Sequence, residues 1–230
     1  MKNRIIYLLL IIFVWSCSKE NASDTETYEP TPLPLSIPQI FLENIIPPVI
    51  PNNNPQTVEG VALGKKLFFD TKLSGDQTMA CASCHAPQNA FTDNIPTSIG
   101  IDGDFGNRNS MPIYNLAWNY GERFTWDGKE LSLERQALEP VENPVEMHSD
   151  WDDVIDRLQS DAEYPELFRL AFKTNTITKE LTAKAIAQFE RTLISANSKF
   201  DNYSLGQATV THQEQNGFNV FMDEERGDCF

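Results

Sequence analysis

The sequence predicts an all-α fold with long loops, and three observations carry that prediction. Through the second half of the chain, apolar residues recur three and four positions apart, the spacing of one helix face. Ser, Thr or Pro stands where most of those stripes begin, as helix starts favour. No run alternates convincingly between apolar and polar with the period of two that marks a half-buried strand.

Taken in order, the chain opens with Lys2 and Arg4 and an apolar run over residues 5–14. The run is too short to span a bilayer comfortably and reads as an export signal. Ser16 directly before Cys17 resembles a bacterial lipobox, although Trp15 is bulky for its position. Residues 1–17 are therefore expected to form a lipoprotein signal peptide, with Cys17 left as the lipidated N-terminus. Ordinary cleavage nearby, with Cys17 discarded, is the alternative. The expected address is the periplasmic side of the cell envelope, with the membrane touched only through that anchor.

Residues 18–56 are polar and then Pro-rich, with Pro30, Pro32, Pro34, Pro47, Pro48, Pro51 and Pro55. They read as a flexible tether without a core of its own. Thr57 caps a helix carrying Val58, Val61, Ala62, Leu67 and Phe68. A polar turn over 70–77 leads to Cys81-Ala82-Ser83-Cys84-His85, and Pro87 stops any helix begun there. Residues 92–110 are a Gly/Asp-rich loop whose spacing is not that of an EF-hand. Ser132 caps a helix over 133–138, and Ser149 with Asp152 resembles a capping box before Trp151, Val154, Ile155 and Leu158. Pro165 suits a first turn ahead of Leu167, Phe168, Ala171 and Phe172. Thr178 opens a longer helix with Leu181, Ala185, Ile186, Phe189 and Leu193 on one stripe. Thr211 with Glu214 opens another, carrying Phe218, Phe221 and Met222.

The stretch from Cys81 to His85 reads C-x-x-C-H, the attachment site of a c-type haem. Two thiols add across the vinyl groups of one porphyrin, and the adjacent imidazole serves as the axial iron ligand. A thioredoxin-like dithiol would want a βαβ setting, and a zinc site would want a second ligand pair. Gly60 and Gly64, four apart on the preceding helix, permit close approach of either the porphyrin or a neighbouring helix. Of four cysteines, two belong to this motif, Cys17 to the signal, and Cys229 stands alone, so no pair is left for a structural disulfide.

The 230 residues carry 33 acidic against 18 basic side chains, a net charge of -15. That balance argues against nucleic acid as a partner and suits solubility or a basic redox partner.

Several ordered segments go further. They are Cys84-His85-Ala86-Pro87-Gln88-Asn89-Ala90-Phe91-Thr92-Asp93, Gly106-Asn107-Arg108-Asn109, Trp126-Asp127-Gly128-Lys129 running into Ser132-Leu133-Glu134-Arg135-Gln136-Ala137, Pro140-Val141-Glu142-Asn143-Pro144-Val145-Glu146-Met147, and Phe189-Glu190-Arg191-Thr192-Leu193-Ile194-Ser195. In this order and spacing the chain, from about residue 58 on, resembles the di-haem bacterial cytochrome c peroxidases, a family that includes the MauG-like enzymes.

The resemblance implies two cytochrome c-like domains. The N-terminal one, where peroxide is reduced, covers 57–205, and the start of a second covers 206–230. It implies that Cys81, Cys84 and His85 hold the peroxidatic haem. Glu146 matches the distal acid/base and Gln136 the glutamine of the same pocket. Trp126 matches the tryptophan between the haems, a candidate electron relay, and Asn109 the asparagine of an interdomain calcium site. Cys229 matches the first cysteine of a second C-x-x-C-H, so the chain is expected to be either part of a longer, two-haem product or the product of a truncated gene. The expected partners are hydrogen peroxide and a small cytochrome c or cupredoxin as electron donor, with a homodimer as a further expectation. The loop over 100–109 lacks the histidine that ligates the resting peroxidatic iron in classical members, so an open iron is expected. The rival readings are a MauG-like oxidase acting on a partner protein and a mono-haem electron carrier, for which Met111 and Met147 are candidate sixth ligands. His148 and His212 read as surface residues near helix starts.

Overall fold

The structure, a computed structural model, describes residues 28–44 and 47–229. The export signal, Cys17, the first part of the tether and Phe230 lie outside the described residues. Ten α-helices are present among the described residues: α1 (Gln39–Asn44), α2 (Val58–Phe69), α3 (Cys81–Cys84), α4 (Leu133–Gln136), α5 (Glu139–Glu142), α6 (Trp151–Gln159), α7 (Tyr164–Phe172), α8 (Lys179–Arg191), α9 (Lys199–Ser204) and α10 (His212–Phe221). Among the same residues there is no strand, only the isolated bridges Pro32–Thr57, Ala86–Thr92 and Ile99–Phe105. The fold is all-α with long loops.

The core is a crossing of α2 and α8, with α7 laid against both. Leu63, Leu67 and Phe68 of α2 meet Ile186 and Phe189 of α8, with Tyr164 and Phe168 of α7 and Val154 and Leu158 of α6 in the same cluster. The two helices touch at backbone distance because α2 carries glycine there. A Cβ added at Gly64 would lie 1.8 Å from the carbonyl oxygen of Ala185, and one at Gly60 would lie 2.1 Å from Gln188 Oε1. The close approach permitted by these glycines is therefore to the neighbouring helix.

Caps read from the sequence are formed at four helices. The hydroxyls of Thr57, Ser132, Thr178 and Thr211 accept the amides of Gly60, Arg135, Leu181 and Glu214. Two expectations are corrected. The cap of α6 is Asp150, whose carboxylate accepts the amide of Asp152, while the Ser149 hydroxyl accepts from Arg157 Nη2 at 2.9 Å. Asp150 and Ser149 are both competent caps, and the nearby guanidinium takes the hydroxyl. The helix expected over 133–138 ends at Gln136 and gives way to α5, which carries Pro140 in its first turn.

The described part of the expected tether is packed onto the domain. Leu33 N–H donates to Gln56 O at 2.9 Å and Val49 N–H to Ala117 O at 2.7 Å, and the Phe41 and Trp118 rings meet edge-on at 4.8 Å. Asn54, 1% exposed, donates to Glu134 Oε1 at 2.7 Å and to the Lys184 carbonyl at 3.1 Å. Gln56 Nε2 donates to the Gln188 carbonyl at 2.8 Å. Polar residues that suggest a solvated strand in the sequence find buried partners on α4 and α8.

Candidate haem site

The Cys-Ala-Ser-Cys segment forms the single turn α3. Ser83 Oγ accepts the Ala80 amide at 3.1 Å, and the His85 amide closes the turn on the Cys81 carbonyl at 3.0 Å. Cys81 and Cys84 are free thiols brought to one side of this turn. After Pro87 the chain doubles back through Ala90 and Phe91, both left-handed with φ of 54° and 58°. That reversal brings the Phe91 carbonyl to 3.0 Å from His85 Nδ1. Nδ1–H donates there, so Nε2 keeps its lone pair, as a metal-binding imidazole requires. Burial holds the imidazole pKa below its ordinary value, which favours the same neutral form. Ser110 braces the turn, donating to the Cys84 carbonyl at 2.7 Å and accepting the Asp93 amide at 3.0 Å.

These groups open into a cavity of about 450 Å³, within the range of small-molecule and cofactor sites. Cys81, Cys84, His85, Asn109, Trp126, Gln136 and Glu146 all line it, although 65 positions separate the first from the last. Burial raises both thiols: Cys81 is pushed up to about 12, with the Glu190 carboxylate adding to the effect, and Cys84 to about 11, with Asp93 and Glu146 adding. Two protonated thiols outside any disulfide and an imidazole whose Nδ1 is held by the Phe91 carbonyl, on one cavity wall, fit a c-type haem.

Glu146 is half-buried and held from both sides. Its amide donates to the Asn143 carbonyl at 3.0 Å, and its own carbonyl accepts from Ile101 N–H at 2.8 Å. Its carboxylate accepts from Asn143 Nδ2 at 2.8 Å. Burial raises its pKa, with the nearby Glu139 adding and the Asn143 bond opposing. The loop approaches closely because Gly100 is there; a Cβ on it would lie 1.9 Å from the Val145 carbonyl oxygen. Gln136, the last residue of α4, is half-buried on the same cavity. Trp126 is 54% exposed at its rim, and its indole N–H donates to the Asn109 carbonyl at 3.0 Å.

Cys229 is exposed, bonded through Sγ to the Gly227 carbonyl, and does not line the cavity. His148 is exposed and pairs with Asp102, and His212 is the first residue of α10. Among the described residues no group of three or more His, Cys, Asp or Glu side chains is gathered to hold a metal ion.

Sequence reasoning missed Glu190. It lies on α8 in the middle of an apolar stripe, lines the cavity and is 5% exposed. Its signal in the sequence is its place in the Phe189–Ser195 segment, directly after the core residue Phe189, which gives it no role by itself.

The family model for di-haem cytochrome c peroxidase matches residues 58–209. The methylamine utilization protein MauG of Methylorubrum extorquens is 39% identical over 173 residues, which are 74% of this chain and 48% of that protein. The cytochrome c peroxidase Ccp of Escherichia coli is 37% identical over 186 residues, covering 78% of this chain and 38% of that one. The crystal structure of a MauG-like protein associated with microbial copper homeostasis superposes with a TM-score of 0.76 at 34% identity, covering 84% of this chain and 55% of the other. The chain thus spans about half the length or less of the curated relatives it matches. The helical architecture, the haem-attachment motif and a family match over most of the folded residues lead to one assignment: the chain belongs to the di-haem cytochrome c peroxidase family.

Proposed function

We propose that this chain is the peroxide-handling portion of a di-haem enzyme that reduces hydrogen peroxide to water with electrons from a small cytochrome c or cupredoxin. The observation that supports this most directly is a half-buried carboxyl, Glu146, on the same cavity as the haem-attachment residues.

When bound through Cys81 and Cys84 and ligated by His85, haem c supplies the redox-active iron. The protein's own residues do the rest. Glu146 in its ionised form takes the proton of a peroxide held in the cavity and returns it to the oxygen that departs as water. Burial raises its pKa, which makes the carboxylate a better proton acceptor than an exposed glutamate. Asn143 fixes the carboxylate for the transfer. Gln136 offers an amide to orient the peroxide. Trp126, at the rim, serves electron entry in this reading. In this reading Asn109 contributes to a calcium site, Cys229 begins the second haem motif, and export with a lipid anchor on Cys17 sets the location.

A MauG-like oxidase acting on a partner protein is the second reading. The absence of histidine between residues 100 and 109 favours it, as does likeness to proteins of that name. The mono-haem carrier reading draws on Met111 and Met147, both of which line the cavity.

The test is the optical spectrum of the oxidised, haem-loaded protein followed by addition of peroxide. A high-spin spectrum that responds to peroxide fits the proposal. A low-spin, six-coordinate spectrum indifferent to peroxide would point to the electron carrier. Turnover with a reduced small cytochrome, against oxidation of a partner protein, separates peroxidase from MauG-like oxidase.

A further inference from the structure

Glu190 is a buried carboxyl with no role in the reading above. It lines the haem cavity beside Cys81, is 5% exposed, and its Oε2 has no hydrogen-bond partner. Buried polar atoms are nearly always paired, so an orphan on a cofactor cavity points to a ligand or a proton. The neighbouring cation does not neutralise it. Arg191 Nη1 lies 2.8 Å from Glu134 Oε1, and that carboxylate also accepts from Asn54. The Asn54–Glu134–Arg191 cluster is therefore balanced within itself and leaves Glu190 as the odd charge. The other ionisable groups on the cavity are His85, Arg108, Arg123, Asp127, Glu139 and Glu146, besides the two thiols that haem attachment consumes.

We infer that Glu190 is a positioning residue for the haem's redox equilibrium: it binds one proton when the iron accepts one electron. This rests on the reading that haem occupies the cavity. Ferric iron carries one more positive charge than ferrous iron, and at low dielectric that charge stabilises a nearby carboxylate. A single electron from the redox donor removes it, and one proton from water then joins Glu190, so that charge in the cavity is conserved. Burial already pushes this carboxyl up to about 8, Arg191 opposing and Glu134 raising it further, so it holds a proton far more readily than an exposed glutamate.

The experiment is spectroelectrochemical titration of the haem-loaded protein from roughly pH 6 to pH 9, a range spanning the raised carboxyl. Covalent haem content is measured first on denatured protein; no covalent haem overturns the haem reading and this inference with it. With haem bound, the potential of the wild type is expected to fall as pH rises, approaching about 59 mV for each tenfold change in proton concentration at one proton per electron. E190Q is expected to flatten that dependence, to raise the potential at high pH, and to remove a carboxyl band from the redox infrared difference spectrum. A flat wild-type profile, or a slope that persists in E190Q, overturns the inference and leaves the haem reading standing. Where E190Q fails to load haem, E190D serves: the pH window moves if the inference holds and stays in place if another group carries the proton.

Discussion

His85 Nδ1 lies 3.0 Å from the Phe91 carbonyl oxygen, and this one bond fixes which ring nitrogen is free for iron. It depends on the left-handed backbone at Ala90 and Phe91. A β-branched residue tolerates that conformation poorly. Ala90→Val is therefore expected to destabilise the protein by about 1–3 kcal/mol, measured by urea denaturation, and to perturb the axial ligation seen in the optical spectrum. His85→Ala should keep the thioether-bound haem but lose the His-ligated spectrum.

Gln188 ties the leading segment to the core. Its Oε1 accepts the Thr57 amide at 3.0 Å and its Nε2 donates to Asn54 Oδ1 at 2.9 Å. Gln188→Leu leaves both partners buried and unpaired, so a loss of about 2–4 kcal/mol is expected, at roughly 1–3 for each orphaned group. Denaturant midpoints check this. A change below half a kcal/mol would mean that residues 47–57 are not packed as described.

Gly64 is the point of closest contact between α2 and α8. Gly64→Ala would force the helices apart, since its Cβ meets backbone rather than a movable side-chain tip. The expected loss is about 3 kcal/mol or more, at the upper end for overpacking. Wild-type stability in this variant would contradict the crossing.

Much of this fold is legible in the sequence because its determinants are local. Thr57, Thr178 and Thr211 stand one residue before the helices they cap. The stripe behind Thr178 packs into the core, and so do Leu67 and Phe68 behind Thr57, but Val58 and Ala62 are exposed, and so are Phe221 and Met222 behind Thr211. The Cys81–His85 spacing likewise announces its chemistry without a structure. What the sequence hides depends on partners far away. Asn54 and Gln56 look like linker residues until Lys184 and Gln188 arrive from more than 120 positions downstream. Glu190 looks like any helix glutamate because only tertiary packing removes its water. Ser149 and Asp150 are equally good caps on paper, and Arg157 decides between them.

Glu190 also makes stability depend on pH. Its pKa is about 8 in the folded protein against an ordinary 4.5. Between those values the folded state holds a proton that the unfolded state has released. The associated stability is full below pH 4.5, declines as pH rises, and is lost once pH passes about 8. E190Q is expected to flatten that decline, so thermal midpoints of wild type and variant measured near pH 5 and pH 9 should diverge in the variant's favour at the higher pH. An equal decline in both would mean that another group carries the dependence.

Glu146 predicts the pH dependence of catalysis. It must be ionised to take the first proton, and burial raises its pKa. Activity is therefore expected to fall on the acid side at a higher pH than an exposed glutamate would give. The kcat/KM profile for peroxide should show that limb in the wild type and lose it in E146Q.

The most direct measurement is the single-turnover rate of peroxide consumption by haem-loaded wild type and E146Q at equal covalent haem content. A decrease of about 10²–10⁴-fold in E146Q, the usual contribution of a positioned acid/base, is the predicted result. Equal rates at equal haem loading would contradict the assignment of Glu146 as the group that moves the proton.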